Sequence, residues 1–209
     1  KNDYATLQPM FLKDPNGNGS KIALDALGIV VASAKMGKLN DNWALLPGEE
    51  GDALSDFKPL WEYDDQFHQY LDDPYLIKAN NPSQADEHSR AYLQDASVAM
   101  LADLWRNVRL GTNEAPVVYS MSREQHQVKT TSIQRKLAYF DGLGREIQTK
   151  IEADNDQNQR QRWISSGWKT FNNKGKVVRQ FEPFYTETPD FEDLYEQAEG
   201  QEKKGVSST

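Results

Sequence analysis

Cysteine is absent from the 209 residues. That excludes a disulfide framework and any thiolate metal site, and leaves oxidising and reducing compartments both open. Histidine is scarce: His68, His88 and His126 are the only three, and none has the i, i+4 or short-spaced partner of a zinc site. Basic residues are outnumbered, 24 Lys and Arg against 32 Asp and Glu, for a net charge of −8 and a pI near 5.0. A phosphate backbone asks for a basic stripe, so nucleic acid is not an expected partner. No run approaches the roughly 18 apolar residues of a membrane-spanning helix. The chain opens Lys1-Asn2-Asp3, with neither an initiator Met nor a charged-then-apolar leader, and reads as a piece of something longer.

What is present is turn chemistry. Thirteen Gly, nine Pro and 11% aromatics suit a turn-rich β protein, and 27% charged residues with a mean hydropathy of −0.81 make it a polar one. Four sites share the pattern Asp/Asn-x-x-Gly: Asp14 to Gly17, Asp25 to Gly28, Asp141 to Gly144 and Asn172 to Gly175. Asp or Asn at the first position of a type I turn bonds its own backbone, and Gly at the fourth takes positive φ, closing a hairpin with a bulge. Alternating segments flank these sites. Lys21–Leu24 and Ile29–Val31 surround the second; Leu137–Phe140 and then Ile147, Thr149 and Ile151 on one face surround the third; Trp168–Phe171 and Val177–Phe181 surround the fourth. Val117, Tyr119 and Met121 alternate as a further strand.

Residues 38 to 80 interrupt this grammar. They are acidic and aromatic, with Trp43, Trp61, Tyr63, Phe67, Tyr70 and Tyr75 among Asp64-Asp65 and Asp72-Asp73, and read as an excursion from the sheet. Ser83 with Asp86 then forms a capping box after Pro82. Tyr92, Leu93, Ala96, Met100 and Leu104 follow at helical spacing, predicting a helix over 83–95 that the same spacing extends to 105. Residues 152–161 read as a polar loop. The domain expectation is one β-rich segment over 1–191 and a polar, disordered tail over 192–209.

Chemistry-bearing constellations are few. Asp14, Asn16, Asn18 and Gly19 fit the opening of a calcium loop, with Asp25 at its twelfth position. Against calcium, Asp25 is needed for the next turn, an Asp replaces the expected bidentate Glu, Lys21 stands at an apolar position, and no helix flanks the loop. His68 with Asp64 and Asp72 could be assembled into a site, but solvated surface is the better account. No nucleophile elbow or P-loop occurs, and Gly17-Asn18-Gly19 lacks the third glycine and following helix of a dinucleotide loop. No catalytic residue, metal or cofactor is therefore expected. Trp163, Trp168, Phe171, Phe181, Phe184 and Tyr185 cluster within 163–185. An exposed row of such rings, with Trp163, Trp168, Phe181 and Tyr185 as ligand aromatics, would make a carbohydrate or surface-ligand module, whereas alternation favours core packing. Arg160-Gln161 and Arg179-Gln180 read as solvated rim.

The units LDALGIVV (24–31) and YFDGLGREIQ (139–148) resemble the Rhs or YD repeat. Four ordered blocks, LQPMFLKDPNGNGSKIALDALGIVVASAKMGK, AYLQDASVAML, PVVYSMSREQH and RWISSGWKTFNNKGKVVRQFEPF, resemble the region adjoining the Rhs shell of the B component of bacterial Tc insecticidal toxin complexes and of the related Salmonella virulence-plasmid-type toxin. They run in the family's order from residue 7 to about 191. Two departures stand out: Ala96–Trp105 looks helical where the family has a strand, and Ile29 replaces the repeat's Arg, which Arg145 keeps. The resemblance implies antiparallel hairpin strips, which with the helix read above gives a mainly β fold with one inserted helix. It also implies a non-catalytic role as shell wall of a secreted toxin component. The implied partners are neighbouring shell segments and a C-type component with its enclosed cytotoxic effector.

Overall fold

The computed structural model describes residues 1–55, 57–59, 82–111, 114–158, 160–192 and 207–208. The fold is mainly β. Twelve strands are formed among the described residues: β1 (Phe11–Lys13), β2 (Asn18–Leu24), β3 (Val30–Lys38), β4 (Val98–Asp103), β5 (Val117–Arg123), β6 (Ile133–Phe140), β7 (Glu146–Ala153), β8 (Arg162–Ser166), β9 (Lys169–Phe171), β10 (Val177–Phe181), β11 (Phe184–Thr186) and β12 (Ser207–Ser208). Among the same residues one helix is long, α1 (Pro82–Leu93), and one is a single turn, α2 (Arg106–Leu110). Nine strands lie in the order β1-β2-β3-β4-β5-β6-β7-β8-β11, and a small sheet has the order β12-β10-β9. The pairings β1–β2, β2–β3, β3–β4, β6–β7, β7–β8 and β8–β11 are antiparallel; from β1 to β8 neighbours in sequence are neighbours in space, and β11 joins β8 after the β9–β10 hairpin.

The described residues fall into two compact units, one drawn from Lys1–Asp72, Ser83–Leu101 and Ser120–Gln134, the other from Asp73–Pro82, Ala102–Tyr119 and Arg135–Thr209. In the first, Ala32 and Ala34 of β3, Ala99 and Leu101 of β4, Met121 and Ile133 are buried with Ala85, Tyr92 and Leu93 of α1. Small residues on β3 let the chain approach closely. Gly51 sits so near this strand that a Cβ would stand 2.5 Å from the Gly37 nitrogen and 2.6 Å from Met36 Cα. Any side chain there would push the 49–53 segment off the sheet. In the second unit the core is Val117, Tyr119, Leu137, Tyr139, Trp163 and Trp168.

The predicted helix is real but shorter than its spacing suggested. It ends at Leu93, and residues 98–103 form β4 with a strictly alternating burial pattern. Two features stop it. Gln94 adopts φ +53, a left-handed terminus. Arg123 of β5 then donates Nη2 to the Gln94 carbonyl and Nε to the Ala96 carbonyl at 3.0 Å, satisfying the acceptors that a continuing helix would have used. Ala, Met and Leu are good helix formers, so the 3.6-residue spacing was genuine; pairing of Ala99 with Ala32 and Val98 with Ser33 overrides it. The single-turn α2 was not anticipated. Ser83's side chain, Trp61, Tyr63, Asp64, Asp65, Phe67, His68, Tyr70, Asp72, Asp73 and Tyr75 lie outside the described residues, as does most of 192–209. Two parts of that expected disordered tail are described: Glu192 is buried, and Ser207–Ser208 pair with β10.

Candidate functional site

The four predicted turns are built alike. At each, the fourth residue donates its N–H to the carbonyl of the first, at 3.0 Å for Gly17 to Asp14, 3.1 Å for Gly28 to Asp25, 3.0 Å for Gly144 to Asp141 and 2.8 Å for Gly175 to Asn172. All four glycines have φ between +73 and +90. The first residue's side-chain oxygen accepts from the backbone beyond the turn: Asn18 on Asp14, Ile29 on Asp25, Arg145 on Asp141, Lys176 on Asn172. Two further turns follow the same plan without glycine. Asn40 Oδ1 accepts from Asn42 and Ala44 while Trp43 takes φ +65, and Asp156 Oδ1 accepts from Asn158 and Arg160. Asx at the first position was their only sequence signal.

This geometry removes the calcium loop. Asp14 is held below its usual pKa by the Asn18 side chain, and both its oxygens are engaged by Asn18. Asp25 closes the next turn at the far end of the seven-residue β2, about 20 Å away at the usual rise per residue. Asp14 and Asp25 cannot share an ion. Among the described residues no group of three or more His, Asp or Glu could hold a metal.

The row of ligand aromatics does not form either. Trp163 is fully buried and Trp168 is 4% exposed, with the Trp168 ring 3.8 Å from that of Phe181. Tyr185 is 57% exposed, but Arg162 lies 4.6 Å over its face. Alternation along β8 sends Trp163 inward, and a ring with no open face cannot stack on a sugar.

The densest polar cluster centres on Asp52, in the first unit. Its Oδ2 accepts from Ser97 Oγ at 2.6 Å and lies 3.0 Å from His126 Nδ1, while Oδ1 accepts the Gln127 N–H at 3.0 Å. Ser97 Oγ in turn accepts from the Lys35 N–H at 2.8 Å. Burial alone would raise the Asp52 pKa; the bonds from Ser97, Gln127 and His126 outweigh it and hold the carboxyl below its usual value. Beside it opens a recess of about 350 Å³ whose walls include Glu49, Gly51, Arg123 and Lys129. Serine, aspartate and histidine invite comparison with a catalytic triad, but the order is wrong. Here the carboxylate stands between hydroxyl and imidazole, and the hydroxyl proton goes to the carboxylate, whereas a nucleophile needs the imidazole next to it. The cluster is a clasp joining three chain segments. His126 showed no local partner in sequence because Asp52 is 74 residues away. His88 is exposed on α1.

In the second unit the surprises are buried charges. Arg135 forks onto Glu152 at 2.7 and 2.8 Å, and Gln161 donates to Glu152 at 2.8 Å. Lys150, with no exposed surface, pairs with Glu192. Asp103, also buried, is met by Arg109 and Arg106. Near them a recess of about 470 Å³ is lined by Leu104, Trp105, Val108, Pro116, Val118 and Phe140. Among the described residues no helix is long and apolar enough to cross a membrane.

No family model and no curated protein matches the chain. Its fold does match solved structures. It is similar to a chain of the TcdB2-TccC3 structure with a TM-score of 0.55 and 18% identity over 91% of this chain and 9% of that one. It is similar to a chain of TcdB2-TccC3-TEV with a TM-score of 0.59 and 15% identity over 91% and 11%. TcdB2-TccC3 without its hypervariable C-terminal region gives 0.55 and 17% over 91% and 11%. The chain thus spans about a tenth of the length of the chains it matches, and the likeness is one of fold.

Proposed function

We propose that this chain is a non-catalytic wall segment of a secreted toxin-complex component, part of a β-shell that encloses and helps deliver a cytotoxic effector. The observation that carries this reading is the fold likeness over 91% of the chain to TcdB2-TccC3 structures. The internal architecture supports it. Strands β1 to β8 lie side by side in chain order, with repeated Asx turns between them, an arrangement that can be continued by further strands at either edge. Its polar clusters tie segments together, and the Asp52 clasp has the bonding of a structural pin.

Sheet edges are where a wall segment meets its neighbours. In the nine-stranded order these are β1 and β11, each three residues long. Short edges present few open N–H and C=O groups to strangers and suit pairing with a defined neighbour. Partners in this reading are flanking shell segments and a C-type component with its effector.

The test is to express the full coding region with a C-type component and image the product. The expected result is a closed shell with this segment in its wall and the effector protected from protease. A segment lying outside any shell, or a coding region without YD repeats downstream, overturns the reading.

A further inference from the structure

The residues that follow β11 do not leave the sheet freely. Thr188 Oγ1 accepts the Asp190 N–H at 3.1 Å and donates to the Asp190 carboxylate at 2.8 Å, shaping a tight bend. The next residues are laid across the buried face of β6 and β7. Tyr139 donates its hydroxyl to the Pro189 carbonyl at 2.8 Å, and its ring lies 5.7 Å from that of Phe191. Gln148 reads the backbone of Glu192 twice, donating Nε2 to the carbonyl at 3.2 Å and accepting the N–H on Oε1 at 3.0 Å. Lys150 takes the Glu192 carboxylate.

This arrangement contains what a peptide-recognition site needs. A side-chain amide pairs with backbone whatever the sequence, as a sheet edge does, while an aromatic contact and a buried ammonium select the side chains. Tyr139, Gln148 and Lys150 are all buried and stand on two strands whose register is fixed, Tyr139 opposite Gln148 and Leu137 opposite Lys150. On the adjoining β8, Ser165 Oγ and Trp163 Nε1 are buried without a hydrogen-bond partner among the described residues, leaving further donors on the same face.

We propose that the β6–β7 face is a binding site for a Pro-x-aromatic-acidic peptide, filled in cis by Pro189–Glu192. It takes the same segment from a second copy of this chain when its own is withdrawn. The inference stands apart from the wall reading, since it rests only on contacts within the second unit. The tethered segment competes at a local concentration in about the millimolar range, so a free peptide enters readily only when the tethered one is weakened.

The experiment uses the full chain carrying Phe191→Ala with Glu192→Gln, and a fluorescein-labelled heptapeptide Thr-Glu-Thr-Pro-Asp-Phe-Glu matching residues 186–192. The expected result is a saturable rise in anisotropy with the variant, roughly 100-fold more peptide being needed for wild type. Adding Lys150→Met should weaken binding about tenfold or more. A folded variant that does not bind, or binding indifferent to Lys150→Met, overturns the proposal. If the variant does not fold, hydrogen exchange of wild type decides: about 10 mM peptide should speed exchange of the Phe191 and Glu192 amides, and an unchanged rate overturns the proposal.

Discussion

Replacing Asp52 tests whether the clasp holds the first unit together. Its side chain is 4% exposed and serves three donors on two other segments. In Asp52→Ala the fully buried Ser97 hydroxyl loses its acceptor, and a lost charge-assisted hydrogen bond with a stranded partner costs about 2–3 kcal/mol. The other two donors count for less. His126 is 41% exposed and Gln127 is exposed, so water replaces Asp52 there, adding about 0.5 kcal/mol or less each. The sum is about 2–4 kcal/mol. Asp52→Asn keeps the shape and one acceptor for Ser97 but not the charge, and should cost about 1–2 kcal/mol. Because the folded carboxyl sits below its usual pKa, its contribution is complete above the unfolded value near pH 4, and is lost as pH falls through the folded value. The gap between wild type and Asp52→Asn should therefore close in acid. Native-state hydrogen exchange at the core amides of Ala32 and Ala99 gives both numbers. A cost under about 0.5 kcal/mol for Asp52→Ala, or a gap independent of pH between 7 and 2, would refute the reasoning.

Two other perturbations separate structural roles. Gly144→Val forces a β-branched residue into φ +75 and should destabilise the β6–β7 hairpin by about 1–2 kcal/mol, measured by urea unfolding, whereas Gly142→Ala, in open space and without that constraint, should stay within about 0.5 kcal/mol. Glu152→Gln leaves the buried Arg135 guanidinium short of its counter-charge and should cost about 3 kcal/mol, while the double replacement Arg135→Met with Glu152→Leu should recover most of that in a mutant cycle.

The hairpin order was legible because each Asx turn is a local event, its donors and acceptors lying within four residues of one another. Asn40 and Asp156 escaped because Trp43 and Gln159 stand where glycine was sought, so the motif was drawn around the accommodating residue instead of the side chain that makes the bonds. The inner face of β7 was not marked by its sequence. Ile147, Thr149 and Ile151 share one face, but Ile147 and Ile151 are only half-buried beside a buried Thr149, while Gln148 and Lys150 on the other face are fully enclosed. A lysine in a strand reads as solvent-facing until its partner is known, and Glu192 lies 42 residues downstream.

Enclosing charged side chains has a physical consequence. A core of Ile, Leu and Val would tolerate several registers between hairpins, since apolar contacts are non-directional. Arg135 opposite Glu152, and Lys150 against Glu192, do not, because a slip of one residue would send one charge to the opposite face and strand its partner in the interior. Each pair contributes little beyond what well-packed apolar side chains would give, and much against the wrong alignment. In the second unit the apolar contacts of Leu137, Tyr139 and Trp163 alone would report a slipped register only weakly. The buried Arg135–Glu152 and Lys150–Glu192 pairs of that unit supply a sharper check locally.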